Sequence, residues 1–187
     1  MPNAISFLRH VVQWTAAAAI LMAWTAATAQ PRSGLAPEVD AVFNRWVSTT
    51  CTGEEERKLI EELRRHAAPL AVAFRKAIVE GPPPAQLRAA RVAAEVRFAA
   101  REKFPWQDYR IEGVSEKDLA AFRRVSREAY VDDQVRRYAT GYRSNAVAGL
   151  GIVGGPGARE ILKRIGGNAD DPLALAAREA LRTAGPR

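Results

Sequence analysis

The chain has 187 residues, 28 Lys and Arg against 21 Asp and Glu, a formal net charge of +7, one cysteine and two histidines. One cysteine excludes an intrachain disulfide framework and every multi-cysteine zinc site, and two histidines leave little for a His-based metal centre. With 48% hydrophobic and 26% charged residues the balance is that of a globular protein of about one domain, not of a disordered chain.

Met1–Ala29 reads as a secretory signal peptide. Arg9 and His10 form a short basic start, Val11 to Trp24 carries no charge, and Ala27-Thr28-Ala29 offers the small residues that a signal peptidase accepts. A retained anchor is the other reading, because no charge interrupts Val11 to Pro31. That stretch is rich in Thr and Ala and barely long enough to span a bilayer. Cleavage implies a periplasmic or secreted protein with no membrane span left, and residues 30–36 then form a flexible linker. Cys51 becomes an unpaired thiol in an oxidising compartment, where a buried apolar role is commoner than a cross-link between chains.

The rest of the chain, 37–187, reads as a single all-α domain: front helices over 37–104, a connector over 105–114 and further helices over 115–187. Val39, Val42, Phe43 and Trp46 fall on one face of a helix that Pro37 can open. Glu54, Glu55 and Glu56 place three acids in the first turn of a second helix, where the dipole favours them, and Ile60 and Leu63 follow as its apolar stripe. Pro69 to Val79 suits a third helix, stopped by Gly81-Pro82-Pro83-Pro84, and Ala85 to Phe104 a long fourth. Ser115-Glu116-Lys117-Asp118 resembles a capping box, and Leu119, Phe122, Val125 and Ala129 continue a helical stripe. No stretch shows the alternating β-branched pattern of a strand.

Tyr142 to Gly154 and Leu173 to Gly185 align without a gap: Ala146 matches Ala177, Leu150 matches Leu181 and Gly154 matches Gly185. Between them Pro156 to Ile165 can form a helix, and Asp170-Asp171-Pro172 can cap the next. Carried by Ala148-Gly149-Leu150-Gly151-Ile152-Val153-Gly154, Gly155-Pro156, Asp170-Asp171-Pro172 and Ala180-Leu181, the chain resembles the short HEAT-like repeats of phycobilisome-lyase-type α-solenoids. The resemblance implies antiparallel helical hairpins stacked as a short solenoid, with small residues letting helices approach closely, and a surface that docks other macromolecules.

The same residues spell GxGxxG, and Asp170 stands where a ribose-binding acid would follow a dinucleotide fingerprint. The context opposes that reading. Arg143 to Ala148 continues a helical pattern instead of a strand, and Gly155-Pro156-Gly157 breaks the helix that should begin there. A repeat explains the glycines without a cofactor, and none is expected.

No catalytic or metal-binding set stands out. His66 sits near the end of a charged helix, where a positive charge complements the dipole. The helix carboxylates are spaced for surface pairs such as Glu54–Lys58, Glu61–Arg65, Asp132–Arg136 and Asp133–Arg137. The basic surplus is confined to residues 83–110 and 141–187, while 30–82 and 111–140 are neutral. Arg88, Arg91, Arg97, Arg101, Arg143 and Arg159 are therefore candidate contacts for an acidic protein or an anionic envelope ligand. Trp106 and Tyr109 in the connector, with Tyr138 and Tyr142 nearby, are candidate hot-spot aromatics, or else plug a junction between helices. The expected function is a non-catalytic interaction module of the cell envelope, binding another protein and no nucleic acid. The alternatives are a basic-surface binder of anionic ligands and, third, an enzyme.

Overall fold

The computed structural model describes residues 34–48, 53–102 and 124–184. The signal segment, Cys51, the capping-box sequence at Ser115 and the connector bearing Trp106 and Tyr109 lie outside the described residues. Among the described residues there are seven helices and no strand: α1 (Pro37–Ser48), α2 (Glu54–Arg65), α3 (Ala67–Glu80), α4 (Pro84–Glu102), α5 (Arg127–Val153), α6 (Ala158–Gly167) and α7 (Ala174–Thr183). The protein is all-α, as the periodicity indicates.

The local chemistry of each helix follows the expected signals. Pro37 opens α1, and Val39, Val42, Phe43 and Val47 bury its inner face. Leu35, in the expected linker, already packs on the core. In α2 the three glutamates occupy the first turn and Arg64 and Arg65 the last. Its buried residues are Leu59 and Leu63, while Ile60 is only half-buried. His66 ends α2 and begins α3 in one residue, so the two helices meet without a loop. Of the stripe expected from Leu119 to Ala129, Leu119 and Phe122 lie outside the described residues, and Val125 and Ala129 are separated by the start of α5. The chain is extended at Ser126, whose hydroxyl accepts a 3.2 Å bond from the Ala129 amide and caps α5.

Helix α5 organises the fold: it packs against all six other helices. The reason lies in its C-terminal half. Tyr142, Ala146, Val147, Gly149, Leu150, Gly151 and Val153 are buried, and at about 100° per residue they cover more than half of the helix circumference. Phe43, Phe74 and Tyr142 form the aromatic centre, with Phe43 5.2 Å from Phe74 and 6.4 Å from Tyr142. In a stacked solenoid each hairpin meets its sequence neighbours. Here α1, α2 and α3 reach α5 directly across the chain.

Two adjacent parts of α5 also finish other helices. A helix leaves its last carbonyls without intrahelical partners. Asn145 Nδ2 donates to the Val47 carbonyl of α1 at 3.2 Å, and Trp46 Nε1 of α1 donates back to the Asn145 carbonyl at 2.7 Å. Arg143 Nη2 donates to the Val79 carbonyl at the end of α3 at 2.6 Å. From α3, Arg75 donates to the Pro156 carbonyl in the turn before α6.

The N-terminal half of α5 forms an arm with α4. Phe98 stacks near Tyr130 (5.4 Å), and Tyr138 donates its hydroxyl to Gln86 Oε1 (3.2 Å), which sets the two helices antiparallel. Gln86, Ala90, Ala94 and Phe98, four residues apart, are the buried positions of α4. They belong to a stripe separate from the main core.

Candidate helix-docking groove

The three glycines of GxGxxG each meet a different steric demand. A Cβ at Gly149 would lie 2.7 Å from Cε1 and Cε2 of Phe74, and one at Gly151 would lie 2.8 Å from the Ala180 Cβ. Gly154 ends α5 at φ +66°, its amide bonded to the Leu150 carbonyl at 2.9 Å. All three are therefore packing and turn positions, with the first two in mid-helix, where no phosphate-binding turn exists. Asp170 and Asp171 lie in the α6–α7 turn, where the Asp171 carboxylate accepts from the Leu173 amide at 2.8 Å.

The glycines bring α3 and α7 against α5 on two sides and leave a third sector of α5 only half-buried. That sector holds Ser144, Ala148 and Ile152, spaced four apart, and forms the floor of a groove of about 920 Å³. Trp46 of α1 and Ile60 of α2 line it, as do Ala176 and Leu181 of α7 and Ala184 just beyond that helix. Leu181 is informative because its repeat counterpart, Leu150, is fully buried, whereas Leu181 stays half-buried on the groove wall. A position that is fully seated against a neighbouring helix in one copy is only partly covered in the other. The charged lining residues are Glu56 and Arg64 on α2, Arg159 on α6 and Glu179 on α7. A hydrogen bond from Arg182 holds the Glu179 carboxyl below the usual range.

The candidate arginines do not converge. Arg91 is paired with Asp132 across the arm at 2.6 Å, and Arg97 donates to its own helix at the Ala93 carbonyl. Arg143 is half-buried and occupied with α3, so its role is structural. Arg88 and Arg159 are exposed, on α4 and α6. Arg101 falls in the last turn of α4, and its side chain is outside the described residues. Arg88 stands on α4, which packs on the N-terminal half of α5, whereas Arg159 stands on α6, which follows the C-terminal end of α5, so these two arginines lie on different parts of the fold. Tyr138 and Tyr142 belong to the interior: Tyr142 is 2% exposed and Tyr138 is held by Gln86.

The surface pairs also differ from simple i,i+4 spacing. Asp133 binds Arg137 as expected, at 2.6 Å, but Asp132 turns to Arg91, and Glu54 pairs with Arg57 instead of Lys58. Arg45 of α1 reaches Glu62 of α2 at 3.4 Å. Among the described residues no three His, Cys, Asp or Glu side chains gather where they could hold a metal. No described helix is long and apolar enough to cross a membrane. The chain matches no protein-family model, no curated protein and no solved structure.

The sequence pattern did not single out the groove. Ile60 reads as core by spacing, yet it faces the groove, and Ser144, Ala148 and Ile152 read as part of a uniformly packed repeat helix. The available signal was one line of α5, at i, i+4 and i+8, of small and aliphatic residues that its buried positions leave only half-buried.

Proposed function

We propose that this protein is a non-catalytic docking module of the cell envelope, exported through Met1–Ala29 and related to the HEAT-like repeat proteins, and that it receives the apolar face of an amphipathic helix of another protein in the groove along α5. The observation that carries this reading is the half-buried line Ser144–Ala148–Ile152, which lines the groove together with the apolar Trp46, Ile60 and Leu181. Helix-in-groove recognition needs a trough lined by side chains at successive turns, with small residues at its floor so that the guest can approach. Leu181 supports the same geometry, since its repeat counterpart is a helix-packing position. The rim carries both signs of charge, so the fitting guest is an amphipathic helix of mixed charge instead of a strongly acidic segment. Binding of anionic ligands has less support, because Arg91, Arg97 and Arg143 are already engaged within the fold.

The test is site-specific photo-cross-linking in the native envelope, with the reactive residue at position 148. The expected result is cross-linking to a helical segment of a defined protein, lost on Ile60→Glu while circular dichroism is unchanged. Cross-links equally frequent from an exposed control position such as Lys163, or none from position 148, would overturn the reading.

A further inference from the structure

The side of α4 turned away from α5 is apolar where a solvent face should be charged. Val92 and Val96 are 58% and 52% exposed, and Ala85, Ala89 and Ala99 continue their line. The intervals from 85 to 99 are four, three, four and three residues, the spacing of a seam between two supercoiled helices. The buried stripe Gln86, Ala90, Ala94 and Phe98 occupies the opposite side, so among the described residues α4 is apolar on two faces and covered on one. A helix apolar on two faces is normally covered on both.

We infer that the outer face of α4 is a self-association surface, on which two copies of the chain pair antiparallel through Ala85, Ala89, Val92 and Val96. The stripe complements itself in that direction. With the two-fold axis between Ala89 and Val92, each Ala89 meets the partner copy's valine at position 92, and each Ala85 meets the valine at position 96. Small thus faces large along the whole seam, which is how facing helix positions interlock. Charge selects the same register. Arg88 and Glu95 flank the stripe on one side, and the two-fold places Arg88 of each copy beside Glu95 of the other.

Arg88 has no ion pair among the described residues, and the half-buried Glu95 carboxylate has oxygen sites beyond its 3.4 Å contact with Arg127. A parallel pairing would align neither charge. One short helix face per copy buries less than the roughly 1,600 Å² of a standard interface, so the association is weak and concentration-dependent. The arm makes the face accessible, since α4 has α5 as its main packing partner.

Sedimentation velocity on the purified protein, from about 10 μM to about 1 mM, tests this directly. The expected result is a monomer at the low end that shifts toward dimer at the high end. The pair Val92→Glu and Val96→Glu should stay monomeric, with unchanged far-ultraviolet circular dichroism. Arg88→Glu should weaken the dimer about tenfold, and adding Glu95→Arg should restore it. A wild-type chain that stays monomeric throughout would overturn the proposal. So would a dimer that survives both valine changes, because another face would then be responsible, or a charge exchange that restores nothing.

Discussion

Gly149 lies flat against Phe74, so close that a Cβ would stand 2.7 Å from two ring carbons. Phe74 is fully buried and backed by Phe43 at 5.2 Å, so it has no space into which to retreat. Gly149→Ala should therefore cost about 2 kcal/mol: an overpacking penalty of up to about 3, offset by about 1 of helix propensity. Gly141 is the internal control, being on the same helix with nothing within 4 Å of its would-be Cβ. Gly141→Ala should stabilise by about 0.5–1 kcal/mol. Chemical denaturation of both variants checks the opposite signs, and two changes of the same sign would refute the close approach.

The exchange between Trp46 and Asn145 ties the end of α1 to the middle of α5. Asn145→Ala removes the donor to the Val47 carbonyl and should cost about 1–2 kcal/mol, through loss of the bond and a poorly solvated carbonyl. Trp46→Phe keeps most of the apolar wall and should cost less, about 1 kcal/mol. If the double variant costs only as much as Asn145→Ala, the two bonds act as one lock, which a double-mutant cycle reads out.

Tyr138 supplies a pH test. Burial raises its phenol above the ordinary value of 10.0. Because the folded state holds the proton more tightly than the unfolded chain, stability is unaffected well below pH 10. It falls as pH rises above 10, where the unfolded tyrosine ionises first. Thermal melting between pH 9 and about 11 should show a steeper loss for the wild type than for Tyr138→Phe. At neutral pH the variant should lose about 1 kcal/mol with the bond to Gln86. Parallel pH profiles would place the hydroxyl in solvent.

The arm should open more readily than the body. Among the described residues α4 buries only Gln86, Ala90, Ala94 and Phe98, three of them small or polar, whereas α3 buries Leu70, Phe74 and Ile78 as well as alanines. Hydrogen exchange should be faster in α4 than in α3 and in residues 142–153. Phe98→Ala should accelerate exchange in α4 and the start of α5 while leaving α3 unchanged. A uniform acceleration across all helices would mean that arm and body unfold as one unit. Arg91→Ala, which breaks an exposed ion pair, should change stability by less than about 1 kcal/mol.

The sequence by itself determined the helical class, the turn at Gly155-Pro156, the acidic turn before α7, the inner face of α1 and the stop of α3 at Gly81. These are local quantities: apolar period, capping chemistry and the conformations open to glycine and proline. It also placed the glycines of the second half as packing residues, a reading that the Phe74 and Ala180 contacts bear out. The roles of Ile60, Arg143 and Tyr142 were decided only by tertiary structure. Period tells which side of a helix is apolar, but not which neighbour covers it, and three or more helices compete for the circumference of α5.

Charge behaved in the same way. The two basic segments are visible as sums along the chain, yet Arg91 is neutralised by an aspartate 41 positions away and Arg143 is spent on a carbonyl 64 positions away. The groove and the bare face of α4 likewise emerge only once the other faces are filled. A surface is what packing leaves over, and no local pattern encodes the remainder.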